Sequence, residues 1–460
     1  MTRRNPMKLA ALAVAAAVAA LPGCAGEERR PYPNYPEMPG APSASQNRRA
    51  SDRPSVSGAE GEAGPRPATA DEARFRDFGF VLYWDSFLRD EQLTSLHLEG
   101  DFDRGIGRPQ LYAITASNRL YQVDLNSGMV NWLYDVGAPI SFTSGSPLSE
   151  WVYEADRDSG LKRYDELYFV ARDQLVALDK DNGAELWTQR LPFVASSPPR
   201  ATAFHVAVGS WDDRIYGYRK DDPSFPAWSW RTDGDVVGKP GSDTPALFVP
   251  STDGTLYCVD ATDGKVQWPF RTEKPLEHAP LVHKKLLYVP GSDYNLYVVN
   301  VLDGLLEWRY GAGAQITGTP AAVDNLVFFT AEGQGLHCVE RRFRPRPAEG
   351  NPRKTEHELL WRRETATKLV CRGAQHVYVL EPGATRDVQR LVKLDAKTGE
   401  ERGALELAGV DFVLTNANAP QSGIRGESLL GGIVVLGFKS GWVVALKEIA
   451  TLPGGVLPED

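Results

Sequence analysis

One nine-residue phrase recurs along this chain and limits its architecture more than any other feature. It reads Asp-x-x-x-Gly-x-x-x-Trp and follows a short apolar run. Leu-Tyr-Gln-Val leads into Asp124, Gly128 and Trp132, and Leu-Val-Ala-Leu into Asp179, Gly183 and Trp187. Leu-Tyr-Cys-Val leads into Asp260, Gly264 and Trp268, and Leu-Tyr-Val-Val into Asn300, Gly304 and Trp308. Four looser copies keep the frame. Ile-Tyr-Gly-Tyr-Arg219 finds Trp228 nine residues on, and Leu-His-Cys-Val-Glu340 reaches Trp361 only after an insertion. Leu-Val-Lys-Leu-Asp395 keeps Gly399 without a Trp, and Val-Val-Ala-Leu-Lys447 comes last. The central copies, at Arg219, Asp260, Asn300 and Glu340, fall 40 or 41 residues apart. That is the period of a propeller or a solenoid.

Each copy reads as strand, turn, strand. Leu-Tyr-x-Val alternates with the two-residue period of a strand. The Gly supplies the positive φ of a tight turn, and the Asp bonds back to turn amides. The Trp then falls on the next strand. A Pro follows 11 or 12 residues later at 198, 240, 280 and 320. Pro cannot donate to a ladder, so it belongs at a strand start or a sheet edge, as at the innermost strand of a blade. Candidate inner strands are 140–144, 193–197, 235–239, 276–279 and 315–319. The expected fold is all-β: four-stranded antiparallel blades arranged radially. Leu111, Leu167, Val206, Leu247, Leu287, Val327, Val377 and Ile433 mark eight hairpins, hence eight blades, or seven if 366–395 is too irregular to form one. An N-terminal strand over 91–99 is expected to complete the last blade and remove the open edges.

Composition agrees: 43 Gly and 11 Trp against only 4 Met suit strands and turns rather than helices. The formal charge of −9 argues against a nucleic-acid partner. Basic residues in 1–8 precede the apolar run Leu9–Leu21, which has the length of a signal-peptide core and is short for a bilayer span. The run ends in Leu21-Pro22-Gly23-Cys24, which resembles the lipobox of bacterial lipoproteins. That resemblance implies acylation of Cys24 and a membrane anchor. Ala25 in place of Asp favours the outer over the inner membrane. Residues 24–72, rich in Pro, Gly and Ser, read as a disordered tether. The expected division is signal peptide 1–23, tether 24–72, propeller 73–450 and tail 451–460.

The repeated phrase resembles the tryptophan-docking repeat of the pyrroloquinoline-quinone family of propellers. The resemblance implies that Trp132, Trp187, Trp228, Trp268, Trp308 and Trp361 dock between blades as packing groups. That family has catalytic members, with a calcium ion, a catalytic Asp and commonly a vicinal Cys pair. It also has non-catalytic ones, such as the propeller lipoprotein of the outer-membrane β-barrel assembly machine. This sequence has no Cys-Cys pair and no shared ionisable set on its presumed inner strands, where only Lys239, Glu277 and His278 stand out. No catalytic, cofactor-binding or metal-binding residue is therefore expected.

The leading expectation is a monomeric, lipid-anchored periplasmic scaffold that meets other envelope proteins through loops and blade edges. The alternatives are a quinone-dependent oxidoreductase and a binder of lipopolysaccharide or a wall polymer. For the last of these the insertions 149–165 and 341–357 are the candidate loops, the second being basic and Pro-rich. The spacing of His278 and His283 is a poor zinc signature. Cys258 and Cys338 sit at equivalent points of blades separated by one other, too far apart to bridge.

Overall fold

The computed structural model describes residues 72–88, 91–101, 106–140, 142, 146–153, 165–341, 359–416 and 431–452. Among these, the strands form eight four-stranded antiparallel sheets. Blades 1 to 7 follow one another along the chain, at 93–135, 148–190, 200–231, 241–271, 281–311, 316–363 and 368–408. Blade 8 takes three strands from 412–448. Its outermost strand is β1 (Phe80–Phe87), paired from Phe80↔Glu448 to Phe87↔Trp442. One α-helix, α1 (Glu72–Phe78), leads into it.

The ring therefore closes through an N-terminal strand, but a different one from that expected. Leu93–Asp101 is the innermost strand of blade 1, with Leu98 opposite Leu111. The physical reason is proximity. Leu93–Asp101 has a partner a few residues ahead in Ile106–Thr115, whereas β1 has no adjacent strand in sequence and pairs across the gap. The innermost strands also begin later than their prolines suggested. Segments 193–197, 235–239 and 276–279 lie in connections, and Arg200–Ala201, Gly241–Asp243 and Leu281–His283 follow them. Blade 2 begins at Leu148–Trp151, and most of 140–144 lies outside the described residues. Only 315–319 runs into its strand, Ile316–Val323, where the pairing register shifts between Thr317 and Ala321, beside Pro320.

Because each blade is a meander, the ring has two unlike ends. The Asp–Gly turns and the turns between first and second strands emerge at one, here the turn end. The turns between second and third strands and the blade-to-blade connections emerge at the other, the connection end. Each inter-blade layer is filled by apolar side chains from two neighbouring sheets. Leu111, Tyr168, Leu247, Val327 and Val377, all on second strands, are fully buried.

Candidate functional site

The repeated phrase builds the joints between blades. Gly128, Gly183, Gly264, Gly304 and Gly399 adopt φ of 69–75°. Their N–H groups bond back to the carbonyls of Asp124, Asp179, Asp260, Asn300 and Asp395 at 2.8–3.0 Å. The Asp side chains hold the same turns. Asp124 Oδ1 accepts from Ser127 N at 2.8 Å, Asp179 Oδ1 from Asp181 N at 2.9 Å, Asp260 Oδ1 from Thr262 N at 2.8 Å, and Asp395 Oδ1 from Thr398 N at 3.0 Å. Each glycine lies under the indole of the preceding blade. A Cβ added to Gly183 would come 2.7 Å from the Trp132 ring. At Gly264, Gly304 and Gly399 it would meet Trp228, Trp268 and Trp361 at 2.8, 2.5 and 2.6 Å.

At three of these joints the indole N–H donates to the carbonyl one residue after the Asp, while the buried Trp268 Nε1 over Gly304 makes no such bond. Trp132 reaches Lys180 O at 2.8 Å, Trp228 reaches Ala261 O at 2.8 Å, and Trp361 reaches Ala396 O at 3.0 Å. Trp187 and Trp308 are buried on the outer strands of blades 2 and 5. The repeats that follow them carry Arg219 and Glu340 at the Asp position and no glycine four residues on.

Sequence reasoning missed two members of this set. Trp84, on β1, lies over Gly128 and donates to Leu125 O at 2.7 Å, so it is the indole of blade 8. The signal was available, since a closed ring needs a Trp ahead of the first Asp–Gly turn. In blade 7 the outer strand Glu401–Ala408 has Gly403 eight residues after Asp395, where the Trp would be. The Phe78 ring of α1 comes within 3.5 Å of a Cβ at Gly403, and it also contacts Phe80, 5.8 Å away.

Buried charge accompanies some joints. The residue after the Asp position is Lys180 in blade 2, and its Nζ lies 2.8 Å from Glu150, which also accepts from Tyr112 of blade 1 at 2.7 Å. Burial pushes the Glu150 carboxyl up to about 7, against the lowering effect of Lys180 and Tyr112. In blade 3, Lys220 meets Glu166 at 2.8 Å, and Glu166 accepts from Tyr168 at 2.6 Å. In blade 8, Glu448 accepts from Tyr378 of blade 7 at 2.6 Å. Where the second strand carries Phe248, Phe328 or Ala207, the next blade answers with Val301, Ala396 or Ala261 in the same apolar cluster.

In the middle of the ring, Lys239, in the connection that leads into blade 4, donates to Leu148 O of blade 2 and lies 3.5 Å from Glu99 of blade 1. Burial, then the Lys239 charge, holds the nearby His97 down at about 4. Burial also lowers His278. A quinone and its calcium ion need convergent carboxylates and an open seat. Among the described residues no group of three or more His, Cys, Asp or Glu side chains is placed to hold a metal ion. Cys258, Cys338 and Cys371 are each buried and unbridged. Lys239 is already tied to blades 1 and 2, so the described residues around it offer no set of carboxylates for a quinone and its calcium ion.

What this ring presents is surface. At the connection end of blade 3, Val194 and Trp211 are 69% and 56% exposed, and Trp211 N bonds Val194 O at 3.2 Å. Beside them Phe193 stacks on Tyr216, with ring centres 4.0 Å apart and planes 11° from parallel. Tyr216 OH donates to Asp212 at 2.6 Å. Asp213 lies 3.7 Å from Arg231, and burial together with the Asp213 charge raises the Asp235 carboxyl. The result is an aromatic and aliphatic patch rimmed by carboxylates. Cys24, the tether and most of the insertions 149–165 and 341–357 lie outside the described residues, as does most of the tail 451–460.

The family model for outer membrane protein assembly factor BamB matches residues 226–342. Curated BamB proteins are 24% identical over 152 residues in Salmonella typhimurium and 28% over 103 residues in Nitrosomonas eutropha. Those alignments cover 32% and 22% of this chain, and they span only 34% and 25% of the relatives' own lengths. The crystal structure of BamB from Moraxella catarrhalis superposes with a TM-score of 0.55 at 15% identity, covering 80% of this chain and 97% of that one. The quinohemoprotein alcohol dehydrogenase ADHIIG from Pseudomonas putida HK5 does so at 0.52 and 13%, covering 82% and 77%. The computationally designed Ika8 protein gives 0.51 and 14%, covering 79% and 98%. At such identities these structures share the fold alone, and the sequence matches narrow the choice within it. The chain is a β-propeller of the pyrroloquinoline-quinone-like repeat kind, and it resembles BamB.

Proposed function

We propose that this chain is a lipid-anchored periplasmic scaffold that takes part in assembling the outer membrane and performs no chemistry of its own. Cys24 carries the anchor, residues 24–72 form the tether, and the outer membrane is the favoured site. The ring acts as a monomer that holds other envelope proteins. The reading is supported by the relatives, which are named as outer membrane protein assembly factors. It is also supported by an interior whose glycines and indoles are used up in joints.

The single observation that carries it is the exposed Trp211–Val194 patch. Tryptophan is favoured at the centre of protein–protein contacts, and an apolar patch at a loop end is an unusual thing to leave in water. Its carboxylate rim suits a partner segment that alternates apolar and basic residues. The test is affinity purification of the full chain from membranes beside Val194→Ser/Trp211→Ala. An outer-membrane assembly protein should be retained by the native chain and reduced at least tenfold by the variant, with melting unchanged. Identical co-purified proteins would refute it, as would dye reduction on adding pyrroloquinoline quinone, calcium and an alcohol.

A further inference from the structure

Among the described residues, five large apolar side chains stand exposed on turns at the turn end, beside Leu306, Leu359 and Leu360 at the starts of fourth strands, and none belongs to the patch just described. The five are Met129 in blade 1 (51% exposed), Phe204 and Phe225 in blade 3 (48% and 80%), and Leu302 and Leu305 in blade 5 (76% and 66%). All sit on turns, so the fold does not require them to be apolar. The positions of Leu302 and Leu305 hold Asn126 and Met129, Asp181 and Ala184, Thr262 and Lys265, and Lys397 and Glu400 in the equivalent turns. The tips lie on blades 1, 3 and 5, each separated from the next by one blade. A peptide groove does not serve groups so spaced, but a flat surface does.

A second observation names the surface. β1 begins at this same end, since Phe80 pairs with Glu448 at the end of the third strand of blade 8, and α1 joins it there. The described chain thus enters the ring at the end that carries the tips. We propose that the turn end lies against a phospholipid bilayer, with Phe225, Leu302 and Leu305 dipping into its interface. This rests on the anchored reading above for its orientation in the cell, but the contact itself needs no acyl chain.

Two basic groups at this end are already paired: Lys285 lies 2.7 Å from Asp243, and Lys265 lies 2.5 Å from Asp263. Asp303 adds an exposed carboxylate at the tip of blade 5. The tips themselves supply an apolar attraction that does not depend on headgroup charge, so a zwitterionic bilayer suffices.

The test uses the full chain as Cys24→Ser, which removes any acylation, with vesicles of phosphatidylethanolamine and phosphatidylcholine. Partition should fall roughly tenfold or more in Phe225→Ser/Leu302→Ser/Leu305→Ser, as expected for losing three interfacial apolar side chains. Val194→Ser/Trp211→Ser, at the opposite end, should leave it unchanged. No partition of Cys24→Ser, or equal partition of the two variants, would overturn the proposal. Failure of the anchor reading would show separately, as an unmodified Cys24 in the mass of the native chain.

Discussion

Gly183→Ala should cost far more than a glycine substitution normally does, and the structure says why. The residue sits at φ 70°, where a Cβ is disfavoured by about 1 kcal/mol. That cost alone is also met at Gly137, at φ 67° with nothing within 4 Å of the new Cβ. At Gly183 the methyl group would also lie 2.7 Å from the Trp132 ring, well inside contact distance. The indole must lift. Lifting it breaks the Trp132 Nε1–Lys180 O bond, worth about 1 kcal/mol, and forfeits part of the packing whose full loss costs about 3–5 kcal/mol. The expected losses are therefore about 3–4 kcal/mol for Gly183→Ala and about 1 kcal/mol for Gly137→Ala. Equilibrium urea unfolding of the two variants, followed by tryptophan fluorescence and circular dichroism, measures the difference directly. Equal losses at the two sites would show that the ring does not occupy the glycine's vacancy.

Other consequences follow from the same geometry. Trp84→Ala should destabilise the ring by about 3–5 kcal/mol and make residues 72–88 susceptible to protease, because Trp84 seals the only joint closed by a separate strand; unchanged proteolysis would count against closure through β1. Phe78→Ala should be destabilising, and Gly403→Trp should restore part of the loss, since an indole there would take the place of the helix's ring. A double-mutant cycle read by urea midpoint checks this, and simple additivity would contradict it. Glu381→Gln should flatten the acid limb of stability. Burial raises the Glu381 carboxyl, but bonds from Arg363 and Thr365 and the charges of Arg363 and Arg390 outweigh this and hold it below its ordinary 4.5. A lowered carboxyl contributes stability that is present above about pH 4.5 and is lost as pH falls through the lowered value. Melting curves between pH 6 and pH 3 should therefore converge for the two proteins at the acid end.

Much of this architecture is legible because one phrase combines two periodicities. Alternation in Leu-Tyr-Cys-Val specifies a strand, and the spacing from Asp260 through Gly264 to Trp268 specifies turn and partner at once. What was misread depended on pairing between distant segments. The sequence alone suggests only 91–99 as the closing strand and no strand over 80–87, because the choice depends on which segment has a neighbour to pair with. The matching of Tyr112 with Glu150 and Lys180, or of Phe248 with Val301, is visible only when adjacent repeats are aligned with an offset of one blade. The Trp211 patch escaped notice for another reason. In sequence, Trp211 is one more aromatic beside a turn, and its exposure depends on an Asp212–Tyr216 bond and a Phe193 ring brought from the preceding connection.

The central claim is that joints occupy the interior and the surface does the work. A photo-crosslinking amino acid placed at position 211 of the full chain, in living cells, tests this most directly. The prediction is a discrete covalent adduct with an outer-membrane assembly protein, lost when Val194→Ser is added. No adduct at 211, with one arising instead from the buried Trp132 or Trp268 positions, would contradict it.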